Sequence, residues 1–243
     1  MNPSTSYEHL FFDLDGTLWD LKTNSYAVLK QLYLDLIAPL QISGLTFEIF
    51  FEKYTLRNEQ LWLAYADNTA TKEDVRLNRF VYTFDDLNIK PLHLAYQLAA
   101  LYVAEGPKQG VVFDHTHAVL KTLAARYSLH IISNGFKEAQ HVKMAHSGLN
   151  QYFKTITLSD DCAALKPSRI IFDKALQQAG AVAENSVYIG DNYAADIVGA
   201  TRAGMLAIWM DYENIFDSHA PLDASVPFEH CTTMLGLLDL FCA

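Results

Sequence analysis

Charge is scarce in this sequence, and its balance is one-sided. Of 243 residues only 19% are Asp, Glu, Lys or Arg, and 28 acids against 18 bases leave a formal net charge of −10. Globular domains usually carry about a quarter charged residues. A chain this poor in charge, with 51% of its residues apolar, can build a large core and falls outside the disordered and fibrous classes. Lys and Arg form no cluster, which argues against a polynucleotide partner, because such binding rests on neutralising many phosphates. Cysteine is sparse too: Cys162, Cys231 and Cys242 are odd in number and lack a CxxC spacing, arguing against a disulfide framework and a zinc knuckle. No window approaches the ~18 unbroken apolar residues of a membrane span; the most apolar stretch, 92–103, is interrupted by His93 and Gln97. The first basic residue is Lys22, so the start lacks the basic opening of a secretory signal, and the expected setting is the cytoplasm.

What is present alternates between two styles. Short apolar runs at 9–13 (HLFFD), 129–133 (LHIIS), 155–158 (TITL), 187–190 (VYIG) and 206–210 (LAIWM) read as buried parallel strands. Helical patterns at 118–126, 136–146, 168–179 and 193–202 lie among the last four, and a final helix is expected at 234–241. Strands alternating with helices at this spacing predict an α/β fold with a doubly wound parallel sheet. Between 21 and 108 the strand signal disappears, and helical spacing predicts four helices at 25–37, 46–65, 72–87 and 91–104. In the second, Phe47, Phe50, Phe51, Tyr54, Leu61 and Tyr65 recur at three- to four-residue steps, the mark of a buried stripe. Trp62 and Tyr65 are expected mainly to pack that bundle. Thr71 to Asp74 resembles a helix N-terminal cap, and Pro91 suits a first helical turn. The expected organisation is an α/β core of residues 1–20 and 109–243, with an all-helical insert at 21–108.

The chemistry gathers where strands end. Asp13 and Asp15 sit two apart at the carboxyl end of the first strand, where open α/β sheets bind ligands, and Gly16 permits the turn that follows. Carboxylates placed there can attack an electrophile or bind a hard cation. The fourth strand ends Gly190-Asp191-Asn192 and continues to Asp196, about a helical turn later. Acids converging without compensation repel, raising a pKa; with oxygen ligands only, Mg²⁺ is the natural counter-charge. Ser133-Asn134-Gly135 ahead of a helix makes a seat for phosphate oxygens, and Lys166-Pro167 precedes another helix. Asp114-His115-Thr116-His117 has a metal-like HxH spacing, but helix capping by Asp or Thr is reason enough for it.

DLDGTL, IISNG, the Lys166-Pro167 pair and GDNYAAD, in this order and at these distances, resemble the four signature motifs of the haloacid dehalogenase superfamily, and the helical insert resembles its type 1 cap. The resemblance spans essentially the whole chain and implies a Rossmann-like sheet of strand order 5-4-1-2-3 with a four-helix cap after the first strand. It implies Asp13 as nucleophile forming an aspartyl-phosphate and Asp15 as general acid/base. Thr17, Ser133, Asn134 and Lys166 would bind phosphate, Lys166 being catalytic as well. Asp13, Asp15 through its backbone carbonyl, and Asp191 would ligate Mg²⁺, with Asp196 steering the ligand shell. The dehalogenase branch has no acid two residues after its nucleophile; Asp15 is present here, so the chain resembles the phosphotransferase majority. Asn58 to Tyr65, Arg76, Arg79-Phe80, Ile132 to Phe136 and Gln140 resemble the bacterial pyrimidine-nucleotide 5′-phosphatase branch, although 68–70 reads Asn-Thr-Ala where a small residue and then Ile is expected. The implied partner is a small phosphorylated metabolite, a pyrimidine nucleoside monophosphate; a sugar-phosphate phosphatase or a phosphoglucomutase-like phosphotransferase is the alternative.

Overall fold

The computed structural model describes residues 7–214 and 226–242. Contacts divide the chain into two compact units, Met1–Leu21 with Gly110–Ala243, and Lys22–Gln109. In the first unit six parallel strands form one sheet: β1 (His9–Phe12), β2 (Ser128–Ser133), β3 (Phe153–Leu158), β4 (Ser186–Gly190), β5 (Leu206–Met210) and β6 (Glu229–Cys231). Their order is β3-β2-β1-β4-β5-β6. That is the expected five-strand order with β6 added beside β5. The sixth strand escaped the sequence reading because Glu229-His230-Cys231 is a three-residue edge strand with one apolar side chain, too short for any periodicity.

The inner strands β1, β2, β4 and β5 are buried on both faces, as their apolar runs require, while the edge strands β3 and β6 are partly exposed. Leu10, Phe12, Leu129, Ile131, Val187, Ile189 and Ile208 point to one face and join a core with Val119 and Leu123. Phe11, Ile132, Tyr188, Ala207 and Trp209 point to the other and join Ile171, Phe172 and Ile197. The period-2 alternation of strand side chains makes this division.

In the helical unit and its lead-in, α1 (Leu21–Leu36), α2 (Phe47–Ala66), α3 (Lys72–Asp86) and α4 (His93–Glu105) surround Phe50, Phe80 and Phe84, all fully buried. Thr71 caps α3 with the reciprocal Asp74 bond of a capping box. Pro91 lies outside α4, which begins two residues later with Leu92 as its N-cap, correcting the expected start. Around the sheet run α5 (Thr116–Ala124), α6 (Lys137–His146), α7 (Ser159–Cys162), α8 (Arg169–Ala179), α9 (Val198–Arg202) and α10 (Gly236–Cys242). The N-cap of α5 is His115, with no side-chain capping bond, so the Asp114–Thr116 capping expectation is not met. Residues 193–202 are not one α-helix: Tyr193–Ile197 is a π-helical turn that leads into α9. Such turns often accompany functional sites, and this one carries Asp196. None of the described helices is long and apolar enough to cross a membrane.

Within the sheet, His130 is 1% exposed, stacks on Phe11 and shares hydrogen bonds with His9 (3.0 Å) and Thr155 (2.8 Å). Burial, with His9 and Lys154 adding to it, pushes its pKa down from 6.5 to about 4. The unfolded chain therefore takes up this proton first, and stability falls as pH drops from about 6.5 towards 4, a loss on the order of 2 kcal/mol. His130→Gln should flatten that acid limb in urea titrations at pH 7 and pH 4.5; an unchanged difference between the two pH values would refute the assignment.

Candidate active site

Four loops at the carboxyl ends of the strands bring the acids and their partners together. Asp13 directly follows β1, and its backbone N–H donates to Ile189 O of β4 at 2.9 Å. Asp191 directly follows β4, and its backbone carbonyl accepts from Trp209 Nε1 at 2.8 Å. Asp196 hangs from the π-helical turn, fully buried, with Oδ2 accepting the Asn192 N–H at 3.0 Å. Asp13, Asp191 and Asp196 each offer an oxygen within 4.8 Å of the others. Two glycines make room for this crowd. A Cβ on Gly16, whose φ is +87°, would run into the Asp191 carboxylate, and one on Gly190 would run into Asp196. The Asp-Gly and Gly-Asp pairs of the sequence are therefore steric requirements as well as turn residues.

Lys166 stands at the centre of this negative field, 4% exposed. Its ammonium reaches Asp13 Oδ1 (2.6 Å), Asp196 Oδ1 (2.7 Å) and the Tyr188 hydroxyl oxygen (2.8 Å), so three acceptors meet its three hydrogens. The Tyr188 hydroxyl in turn donates to Asp196 Oδ1 at 2.9 Å. Burial alone would lower the Lys166 pKa, but Asp13 and Asp196 more than reverse this and raise it. Asp13 is raised well above the usual carboxylate range by burial; Lys166 opposes the shift, while Asp196, Asp191 and Asp15 add to it. Asp191 is pushed up to about 7 by burial and by Asp196, against the Thr17 hydrogen bond. An all-carboxylate cluster under this strain suits a hard divalent cation.

Asp15 behaves differently from the other acids. Its carboxylate turns to α6, taking Gln140 Nε2 at 2.7 Å and Lys143 Nζ at 2.6 Å. It stays out of the cluster of three. Among the residues expected to bind phosphate, Ser133 at the end of β2 accepts from Gly135 N (3.1 Å) and Gln140 Nε2 (2.9 Å). Its own hydroxyl hydrogen is therefore available for an anion. Thr17 and Asn134 are engaged elsewhere. The Thr17 hydroxyl donates to Asp191 Oδ1 at 2.8 Å. The Asn134 side chain grips the Lys166 backbone at both ends, accepting from its N–H (2.7 Å) and donating to its carbonyl (3.1 Å). Both side chains hold site residues in place.

Three residues of this network were missed as site residues. Tyr188 looks like core in the run VYIG, Lys143 like a solvated helical lysine, and Gln140 entered only through the family resemblance. The available signal was the three-residue step from Gln140 to Lys143, which places both on one face of the helix after Ser133-Asn134-Gly135.

With this geometry in place, the sequence model of the haloacid dehalogenase-like hydrolases matches residues 10–210, from β1 through β5. The chain belongs to that family. It is 29% identical to the pyrimidine 5′-nucleotidase YjjG of Escherichia coli over 208 residues, 84% of this chain and 86% of that protein. Against the pyrimidine 5′-nucleotidase PynA of Streptococcus pneumoniae it is 28% identical over 237 residues, 96% of this chain and 95% of the relative. Among solved structures, the magnesium-bound HAD-hydrolase YfnB of Bacillus subtilis superposes with a TM-score of 0.82 at 24% identity, covering 98% of this chain and all of that one. That likeness confirms the haloacid dehalogenase-like fold. Its family and the named activities of its curated relatives make the chain an enzyme of the phosphatase kind.

Proposed function

We propose that the chain hydrolyses phosphate monoesters through an aspartyl-phosphate on Asp13, with Mg²⁺ as its metal and a pyrimidine nucleoside monophosphate as its substrate. The observation that carries this reading is the buried Lys166 ammonium 2.6 Å from Asp13 Oδ1, beside an all-oxygen cluster of acids. A carboxylate so paired stays available for attack, and the same ammonium can pass to an oxygen of the transferred group. Asp13 and Asp191, with the Asp15 carbonyl, would hold the cation, while Asp196 anchors Lys166 from behind. When bound, Mg²⁺ supplies the positive charge that lets two anions meet. Ser133 donates to a phosphoryl oxygen with its unengaged hydrogen. Asp15 gives a proton to the leaving oxygen and later takes one from water. The names of the relatives support the pyrimidine substrate, and three free cysteines fit a cytoplasmic setting.

Phosphate release from a panel of esters, with and without Mg²⁺, tests this directly. Pyrimidine monophosphates should be the best substrates, and chelation should abolish turnover. Hexose phosphates hydrolysed equally well, or phosphate moved between hydroxyls of one hexose, would sink the nucleotidase reading.

Metal linkage gives a second check. Asp191 ionises near 3.8 in the unfolded chain and at about 7 when folded, so the metal-free protein loses stability as pH rises through this window. A cation replaces the proton. The gain in Tm on adding Mg²⁺ should therefore be larger at pH 8 than at pH 5.5, and equal gains would contradict the assignment of Asp191 as a ligand.

A further inference from the structure

Lys143 and Gln140 lie one helical turn apart on α6, and both reach Asp15. Lys143 Nζ meets Oδ1 at 2.6 Å with its side chain only 11% exposed, and it lies 4.4 Å from the centre of the Trp19 ring. Trp19 is itself 2% exposed and tied back by hydrogen bonds to Gly16 and Leu14. The ammonium is thus confined between an aromatic face and a carboxylate, an arrangement stronger than a solvated surface pair. Gln140 is fully buried, and its amide hydrogens go to two different groups, Asp15 Oδ2 at 2.7 Å and Ser133 Oγ at 2.9 Å. Its Oε1 has no hydrogen-bond partner among the described residues. Turning the amide over to satisfy that oxygen would set it against the Asp15 carboxylate, so the orientation serves Asp15 at the expense of a buried acceptor. Gly135 is the glycine that allows it, since a Cβ there would collide with the Gln140 amide.

We propose that Lys143 and Gln140 are positioning residues that hold the Asp15 carboxylate in one orientation as the acceptor for the second half of the reaction. This rests on the aspartyl-phosphate reading above. In that half-reaction a water oxygen attacks phosphorus and the bond from phosphorus to the Asp13 oxygen breaks. The water proton passes to Asp15, and Asp13 leaves as a carboxylate. An acceptor gripped at both oxygens keeps its remaining lone pairs fixed in direction. A freely turning one would meet the water only part of the time. Gln140 has a second effect that Lys143 lacks. By donating to Ser133 it makes that hydroxyl a donor towards phosphate, so it serves the first half-reaction as well.

The test is quenched-flow kinetics on the full chain with Mg²⁺ and p-nitrophenyl phosphate, whose leaving group departs without a proton. Loading of phosphate onto the protein and decay of the phosphoprotein are read separately. General-base catalysis is worth roughly 10²–10⁴-fold, so Lys143→Met should slow decay by at least about 10-fold while loading changes less than about 3-fold. Lys143→Arg should restore most of the decay rate. Gln140→Leu should slow both steps. Thermal melts confirm folding, and Lys143→Gln provides the same comparison if the Met variant does not fold. Decay unchanged in the Lys143 variants, or loading and decay slowed equally, overturns the proposal. A wild-type protein that releases phosphate with no phosphoprotein overturns it together with the Asp13 intermediate. One that releases no phosphate from any ester instead refutes the phosphatase reading on which it rests.

Discussion

Asp13→Asn is expected to lower phosphate release by at least about 10³-fold while leaving the α/β unit as stable as before or slightly more so. The two effects have one origin. Asp13, Asp191 and Asp196 lie within 4.8 Å of one another, and burial together with that crowding raises the Asp13 pKa. A neutral amide removes the nucleophilic oxygen and one charge of the repelling set, but it keeps an acceptor for Lys166 at nearly the same place. Steady-state phosphate release and thermal melting of the two proteins without metal are the measurements. Undiminished turnover would show that another group attacks. A drop in Tm of many degrees would show that Asp13 matters mainly as the counter-charge of Lys166. The stability gain should disappear when Mg²⁺ is added, because the cation relieves the same repulsion in the wild type and binds the variant less tightly.

The parts of this molecule that could be read in its sequence are those whose physics is local. Four of the five strands announced themselves because a strand buried on both faces must be mostly apolar, and Leu206–Met210 begins and ends where the run LAIWM does. The four helices of the insert followed from apolar residues at helical spacing, and the α3 start from Thr71 and Asp74. Elements decided by tertiary contact were not legible. β6 is held as a strand by pairing with β5, and nothing in three residues signals that. The π-helical turn at Tyr193–Ile197 arises where Asn192 caps Ala195 while its own N–H is taken by Asp196, a reciprocal pairing that a periodicity argument passes over as one helix. The same division holds at the site. Asp13, Asp15, Asp191 and Asp196 stand out as acids at strand ends. Which oxygen each donor serves depends on residues far apart in the chain: Thr17 on Asp191, Asn134 on Lys166, Gln140 on Asp15.

Lys166→Met should have the largest effect on stability of any single change at the site. The side chain is replaced by one of similar length with no charge, so packing is nearly conserved and the electrostatic consequence is isolated. Asp13 and Asp196 would then lie buried without their cation, and Tyr188 could offer only one hydrogen where Lys166 offered three. Removing one member of a buried ion pair typically destabilises by about 3–5 kcal/mol, which for a protein of this size is a fall in Tm on the order of 10 °C. Phosphate release should fall at least about 10²-fold, because the ammonium nearest the attacking oxygen is gone. Two comparisons distinguish this from a packing defect. Combining Lys166→Met with Asp13→Asn should destabilise less than the sum of the single changes, since one of the two orphaned charges is then absent. Mg²⁺ should raise the Tm of Lys166→Met by more than it raises that of the wild type, because the cation becomes the only positive charge among three acids. Additive effects of the two substitutions, with equal metal stabilisation in variant and wild type, would show that Lys166 contributes shape and not charge, and the ion-pair account of this site would fail with it.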